Sequence, residues 1–214
     1  AASGAYTALI NYLTGVTFSG NTYRSLTLRG NAATGSITST QAVSCTFTNE
    51  KFIGGRGYFV GPQRCTFTNI TYYDHTITTT TTATNPAYVL DFATGGSGNI
   101  ITGMAIPLSA NGPYAGLVSL NACYNTWIKE IGTFAVPLAF NAAVTGVIVN
   151  GAGNNDGITM KRCFVSGTRL GPYAFVNSDT NVLVENCAGD YADASVLAGL
   201  NAVVKNCGLT GSAT

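Results

Sequence analysis

Charge is scarce in this sequence. Lys and Arg number 10, Asp and Glu 9, and charged residues make up only 9% of the 214 positions, for a net charge of +1, against roughly a quarter in an average protein. The basic residues are scattered singly and give no electrostatic footprint for phosphates, which argues against nucleic acid and anionic membrane as partners. His75 is the single histidine and no Cys-x-x-Cys pair occurs, so neither a zinc site nor any other metal or cofactor is expected. Long apolar runs are missing too. The most apolar stretch, Ala135 to Val149, is broken by Asn141, Thr145 and Gly146, and a span of about twenty apolar residues would be needed to cross a bilayer. No segment of useful length carries a helical period. The chain opens Ala1-Ala2-Ser3-Gly4, without an initiator Met or an apolar leader, and is read as one domain over 1–214, a segment of a longer protein.

What is present is repetition. Cysteines stand at 45, 65, 123, 163, 187 and 207, separated by 20, 58, 40, 24 and 20 residues. Their surroundings recur: Ser44-Cys45-Thr46-Phe47-Thr48-Asn49 is echoed by Arg64-Cys65-Thr66-Phe67-Thr68-Asn69, and Val184-Glu185-Asn186-Cys187 by Val204-Lys205-Asn206-Cys207. Self-similarity at such a period marks a solenoid. A residue recurring once per turn at one inward position is then a small buried thiol in a stack, so the cysteines are expected to be free, in keeping with folding in a reducing cytoplasm.

Aligning the strands Ile158 to Cys163, Val182 to Cys187 and Ala202 to Cys207 places their first and third residues inward by period-two alternation. Lys161, Glu185 and Lys205 then project outward on consecutive turns, about 4.8 Å apart. Asn49, Asn69, Asn186 and Asn206 fall where the chain must bend, and asparagine tolerates left-handed backbone. Phe47 and Phe67 are expected to stack inside, with Thr46, Thr48, Thr66 and Thr68 facing out. Weaker copies are Asn99 to Gly103, Asn125 to Lys129 and Val144 to Val149. Tyr72 to Pro86 and the glycine-rich Asn150 to Gly157 read as loops.

Turns of roughly 20 residues, short apolar strands, Asn and Gly corners and stacked Cys and Phe together resemble the single-stranded right-handed parallel β-helix of the pectate-lyase-like superfamily. Within it, the low charge and the Thr/Asn/Gly exterior resemble bacteriophage tail spikes and tail fibres. The resemblance implies a homotrimer on the virion tail, joined to other tail proteins, that binds bacterial surface glycan and in many members cleaves it. Outward Leu183 and Val203 would suit a face between chains. The family's polygalacturonase and lyase motifs do not carry over: Asn154-Asn155-Asp156-Gly157 and Asp74-His75 are the nearest approaches, and neither matches.

Glycoside cleavage needs two carboxylates across one bond. The candidates are Asp190 and Asp193, flanking Tyr191, with Asp179 in the preceding turn; Asp156 reads as a turn residue and Glu130, near Trp127, as an outside candidate. For sugar binding, Tyr72, Tyr73, Tyr114, Tyr173 and Tyr191 fall in loop-like sequence and offer flat rings with polar tips. Trp127 reads as core or interface. Three functions follow: a receptor-binding spike segment without catalysis, a polysaccharide depolymerase, and an ice-binding solenoid, the last requiring flat Thr-x-Thr rows beyond the two visible pairs.

Overall fold

The computed structural model describes residues 8–10, 12–24, 37–39, 41–53, 56–73, 88–106, 116–132, 138–139, 147–166, 171–174, 179–189 and 201–209. Among them the protein is all-β, with no helix, and each strand pairing is parallel. Two sheets dominate, one of ten strands and one of seven. In the first, eight strands, Thr17–Ser19, Thr46–Thr48, Thr66–Tyr73, Ile100–Ala105, Trp127–Ile131, Thr159–Cys163, Leu183–Glu185 and Val203–Lys205, pair in chain order, and Thr22–Arg24 and Lys51–Ile53 add to the far end of Thr66–Tyr73; we call this the long ladder. The second ladder runs Ala8–Ile10, Ile37–Ser39, Gly57–Val60, Tyr88–Thr94, Gly116–Asn121, Val147–Gly153 and Gly171–Ala174, again in chain order.

A seven-residue unit builds the long ladder. It reads left-handed, inward, outward, inward, outward, left-handed, inward, as in Arg64-Cys65-Thr66-Phe67-Thr68-Asn69-Ile70. The first position is Gly15, Ser44, Arg64, Gly98, Asn125, Gly157, Asn181 and Asn201 on successive strands, with φ between 48° and 69°. The sixth is Gly20, Asn49, Asn69, Gly103, Glu130, Arg162, Asn186 and Asn206, with φ between 52° and 72°. Left-handed geometry costs a non-glycine residue about 1–2 kcal/mol. The cost is offset because the bend aims backbone N–H groups along the stack: Ser44 donates to the Gln63 carbonyl at 2.8 Å, Asn49 to Thr68 at 2.9 Å and Asn186 to Lys205 at 3.0 Å. Side chains reinforce this edge, Asn69 Nδ2 donating to Asn49 Oδ1 at 3.2 Å.

The core lies between the ladders. Phe18, Phe47 and Phe67 stack with centroids 4.9 Å apart and rings parallel to within 1° and 4°. Phe59 of the second ladder meets Phe47 and Phe67 edge-on, and Phe92 tilts against Phe67. Further along, the same inward column becomes Ile101, Ile128, Met160 and Val184, all fully buried.

Several expectations need correction. Register spacing on the long ladder is not a steady 20 residues. Thr46 pairs with Thr66 at 20 and Leu183 with Val203 at 20, but Thr66 pairs with Ile100 at 34 and Trp127 with Thr159 at 32. The cysteines, all free thiols, occupy three positions instead of one. Cys45 and Cys65 are second in the unit, Cys163, Cys187 and Cys207 seventh, and Cys123 precedes it, beside the bridged residue Tyr124. All are inward positions, and a small apolar thiol fits any of them. The first half of Asn150 to Gly157, through Gly153, is strand and not loop, because its small residues let the second ladder continue past Val147. Val147–Gly153 therefore belongs to the second ladder and is no copy of the cysteine-bearing strand.

Candidate functional site

Two columns of side chains cover the outer face of the long ladder. Toward the N-terminus they are hydroxyls: Thr17 and Ser19, Thr46 and Thr48, Thr66 and Thr68, in register on three strands. The Thr17 pair escapes a search by cysteine because Val16 stands where Cys45 and Cys65 stand. The next row, Ile100 and Thr102, ends the Thr-x-Thr pattern.

Toward the C-terminus the same columns change character. One continues Ile100, Trp127, Thr159, Leu183, Val203 and the other Thr102, Lys129, Lys161, Glu185, Lys205. Trp127 is 46% exposed and Val203 51%, so the tryptophan is not core. Alternation aims it away from its neighbour Ile128, which is fully buried. Lys161 Nζ lies 5.7 Å from the indole centroid and 2.7 Å from a Glu185 carboxylate oxygen, whose partner oxygen lies 3.4 Å from Lys205. The expected outward alternation of Lys161, Glu185 and Lys205 is present. Hydrogen bonding from Lys161 holds the Glu185 carboxyl below its ordinary range, with Lys205 adding to the effect. Lys129 stands directly beside Lys161 and has no ion-pair partner among the described residues. Tyr124, 43% exposed, lies just ahead of Trp127 in the chain. Glu130, the outside candidate acid, pairs with Arg162.

A second polar cluster sits on the side of the second ladder facing away from the core. Arg56 donates to Asp91 Oδ2 at 2.7 Å, with both side chains largely buried, and its guanidinium lies 4.9 Å from the Tyr58 ring centroid. Burial raises the Asp91 carboxyl above its ordinary range, while Arg56 and a Ser119 hydrogen bond act against that rise. Near the N-terminal end, Glu50 is buried, accepting from Asn21 Nδ2 at 3.2 Å and bonding the Tyr23 hydroxyl. Burial first, then Glu50, raises the Tyr23 phenol. Neither Asp91 nor Glu50 carries a local sequence signal: Asp91 is a lone acid in the apolar strand Tyr88–Thr94, and Glu50 stands between Asn49 and Lys51 at a corner between strands.

Of the acids and tyrosines singled out from sequence, Asp179, Tyr72, Tyr73 and Tyr173 fall among the described residues. Asp179 is fully buried, its Oδ1 accepting from the Asn155 backbone N–H at 3.1 Å and from Asn155 Nδ2 at 3.0 Å. Asn155 in turn accepts from the Cys123 N–H at 2.9 Å, so this carboxylate braces the interior and is shielded from a sugar in solvent. Tyr72 is no loop residue: it lies in the strand Thr66–Tyr73, stacked in register on Phe52, and is 1% exposed. Tyr73 ends that strand, half-buried, and Tyr173 lies in the strand Gly171–Ala174. Asp190, Asp193, Tyr114 and Tyr191 lie outside the described residues. Asp156, read as a turn residue, instead bridges Tyr124 and Thr180 in parallel just ahead of the left-handed Gly157, and it accepts from Thr180 Oγ1 at 2.8 Å and Asn181 Nδ2 at 2.6 Å, contacts that lower its carboxyl.

Among the described residues no group of three or more His, Cys, Asp or Glu side chains is placed to hold a metal, and no helix is long and apolar enough to cross a membrane. No family model matches the chain, and no curated protein matches it in sequence.

Proposed function

We propose that this chain is a segment of a bacteriophage tail spike or tail fibre, a single-stranded right-handed parallel β-helix that attaches the virion to bacterial surface polysaccharide. The observation that carries the reading is Trp127, exposed on a flat in-register strand face of a chain that is only 9% charged. An indole offers the C–H face of a sugar ring an apolar plate, and its N–H offers a hydroxyl a donor. Strands that add to both ladders in chain order, all in parallel, support the β-helix. In this reading the chain folds in the bacterial cytoplasm and works outside the cell, as a homotrimer joined to other tail proteins. The exposed Val203 and half-buried Leu183 supply an apolar strip for a neighbouring chain.

Adsorption without cleavage is favoured over the depolymerase because each described carboxylate bonds a neighbour: Asp91 with Arg56, Glu185 with Lys161, Glu130 with Arg162, Asp179 with Asn155, Asp156 with Thr180 and Asn181, and Glu50, buried, with Asn21 through one of its two oxygens. The test is to incubate labelled protein with encapsulated and capsule-stripped cells, scoring adsorption, and with the purified capsule and lipopolysaccharide, scoring new reducing ends and unsaturated products. Adsorption lost on stripping, without release, is the expected result. Release abolished by Asp190→Asn or Asp193→Asn establishes the depolymerase instead, and absence of both adsorption and release refutes the glycan reading. Light scattering checks the trimer, which a monomer mass at micromolar concentration would refute.

A further inference from the structure

The outward columns of the long ladder are not electrically uniform. From Trp127 onward they and their flanking corners hold four cations, Lys129, Lys161, Arg162 and Lys205, against two carboxylates, Glu130 and Glu185. Arg162 is closed by Glu130, and the Glu185 carboxylate is divided between Lys161 and Lys205. Lys129 is left over, directly beside Lys161 in register, at a strand separation of about 4.8 Å. Like charges opposite one another across a ladder are destabilising, and nothing in the packing demands a lysine here, since the column carries Thr102 one strand earlier. An anion between the two ammonium groups would relieve the repulsion. Trp127, two residues before Lys129 on the same strand and the same face, supplies a half-exposed ring next to that position.

We infer that Trp127, Lys129 and Lys161 form a subsite for a carboxylated sugar residue, so that the polysaccharide bound is acidic. The sugar ring lies against the indole and its carboxylate pairs with Lys129, while Lys161, held by Glu185 and 5.7 Å from the indole centroid, borders the site and adds to its positive field. A flat neutral face would serve a neutral glycan better, because a desolvated lysine with no counter-ion costs free energy. The N-terminal rows of threonine, without charge on the same columns, are that neutral face. This inference rests on the glycan reading above and narrows it.

Trp127 is the single tryptophan of the chain, so its fluorescence reports on the subsite alone. The experiment titrates the protein with oligogalacturonate and with polysialic acid as acidic probes, with dextran and mannan as neutral ones, and with polyphosphate as a non-sugar polyanion, reading fluorescence and, in parallel, adsorption to immobilised polymer. The expected result is a saturable fluorescence change with at least one acidic glycan. It should weaken tenfold or more in Lys129→Glu, weaken several-fold in 0.5 M salt as screening predicts, and be absent with the neutral glycans. Trp127→Phe, which keeps a ring, should retain adsorption better than Trp127→Ala. Unchanged circular dichroism and melting temperature of Lys129→Glu would separate lost binding from lost folding. Adsorption of neutral glycan alone, or of acidic glycan untouched by Lys129→Glu, overturns the inference while leaving glycan attachment standing. A response to polyphosphate equal to that for the sugars overturns it in favour of unspecific charge, and an indole that acrylamide cannot quench overturns it by showing the face to be covered between chains. No adsorption to any polymer overturns the glycan reading together with it.

Discussion

The two halves of the long ladder share a backbone and little else. Both interiors hold buried thiols, but between Thr17 and Tyr73 the inward column is a pile of parallel phenylalanine rings and the exterior rows of hydroxyls, whereas between Trp127 and Lys205 the inward column is aliphatic and the exterior aromatic and charged. Yet both halves keep the same two left-handed corners and the same alternation. The seven-residue unit specifies conformation by where the chain bends and which side is apolar, so what fills a column is free to drift. Drift is constrained sideways, because each residue's nearest neighbours are its equivalents one strand up and down, about 4.8 Å away. Uncharged side chains of one kind then settle together, Phe on Phe, Thr on Thr, thiol following thiol, while charges favour the opposite sign. Lys129 beside Lys161 violates this preference for compatible neighbours, which is why it draws a functional reading.

The comparison breaks most readily at the phenylalanine pile. Phe67→Ala removes a ring in contact with three others and should cost about 3–5 kcal/mol, whereas Val184→Ala, in the same column of the other half, deletes two methyl groups and should cost about 2 kcal/mol. Urea denaturation of both variants measures this, and equal losses would show that the aromatic half is not packed more tightly. The next effect is Arg56→Met, which strands the Asp91 carboxylate. With a largely buried pair the loss should be about 3 kcal/mol, and the double variant with Asp91→Asn should recover part of it, a non-additivity visible in a thermal double-mutant cycle.

The corners, common to both halves, respond to steric change. A Cβ on Gly103 would lie 2.7 Å from Asn69 Oδ1 at a φ of +66°, so Gly103→Ala should cost about 1–2 kcal/mol. By contrast Asn206→Gly, at φ +52°, should be close to neutral by the same melting assay, since glycine adopts that geometry freely. The smallest effect concerns charge on the exterior. Because Lys161 holds the Glu185 carboxyl below its unfolded value, its contribution is present above about pH 4.5 and is lost as pH falls through the lower folded value. Asp91 acts in the opposite sense: burial raises its carboxyl, so protonation favours the folded state as pH falls from the raised value toward the ordinary one. In melts between pH 7 and pH 3, Glu185→Gln should flatten the acid-side decline, and Asp91→Asn should steepen it.

Much of the strand face was legible before any coordinates. The shared pattern around Cys163, Cys187 and Cys207 correctly sets Lys161, Glu185 and Lys205 outward and Met160 and Val184 inward, because alternation has a period of two and a slip would expose the whole apolar set. Asn49, Asn69, Asn186 and Asn206 announce their left-handed corners by residue type alone. Ser44, Arg64, Glu130 and Arg162 take the same geometry with no such signal, since position in the stack overrides their preference. The candidate site was the less legible part. Tyr72 looks like a loop residue because threonines follow it, yet it is buried in register on Phe52, which is itself stacked on Tyr23 one strand further on. Trp127 reads from sequence as core or interface, and its parity on the strand rules out the core.

The sequence by itself determined a repeating parallel-strand architecture, its corners, its inward and outward sets and the free-thiol interior, since these follow from local conformational preference and periodicity. Only the tertiary structure decided which repeats are neighbours. Connections of 20 to 34 residues between paired positions hide the register from spacing, and register alone brings Lys129 to Lys161, Arg56 to Asp91 and Asp179 to Asn155. Pairings between residues so far apart in the chain are settled by hydrogen-bonded stacking of whole strands, a collective property that no single segment encodes.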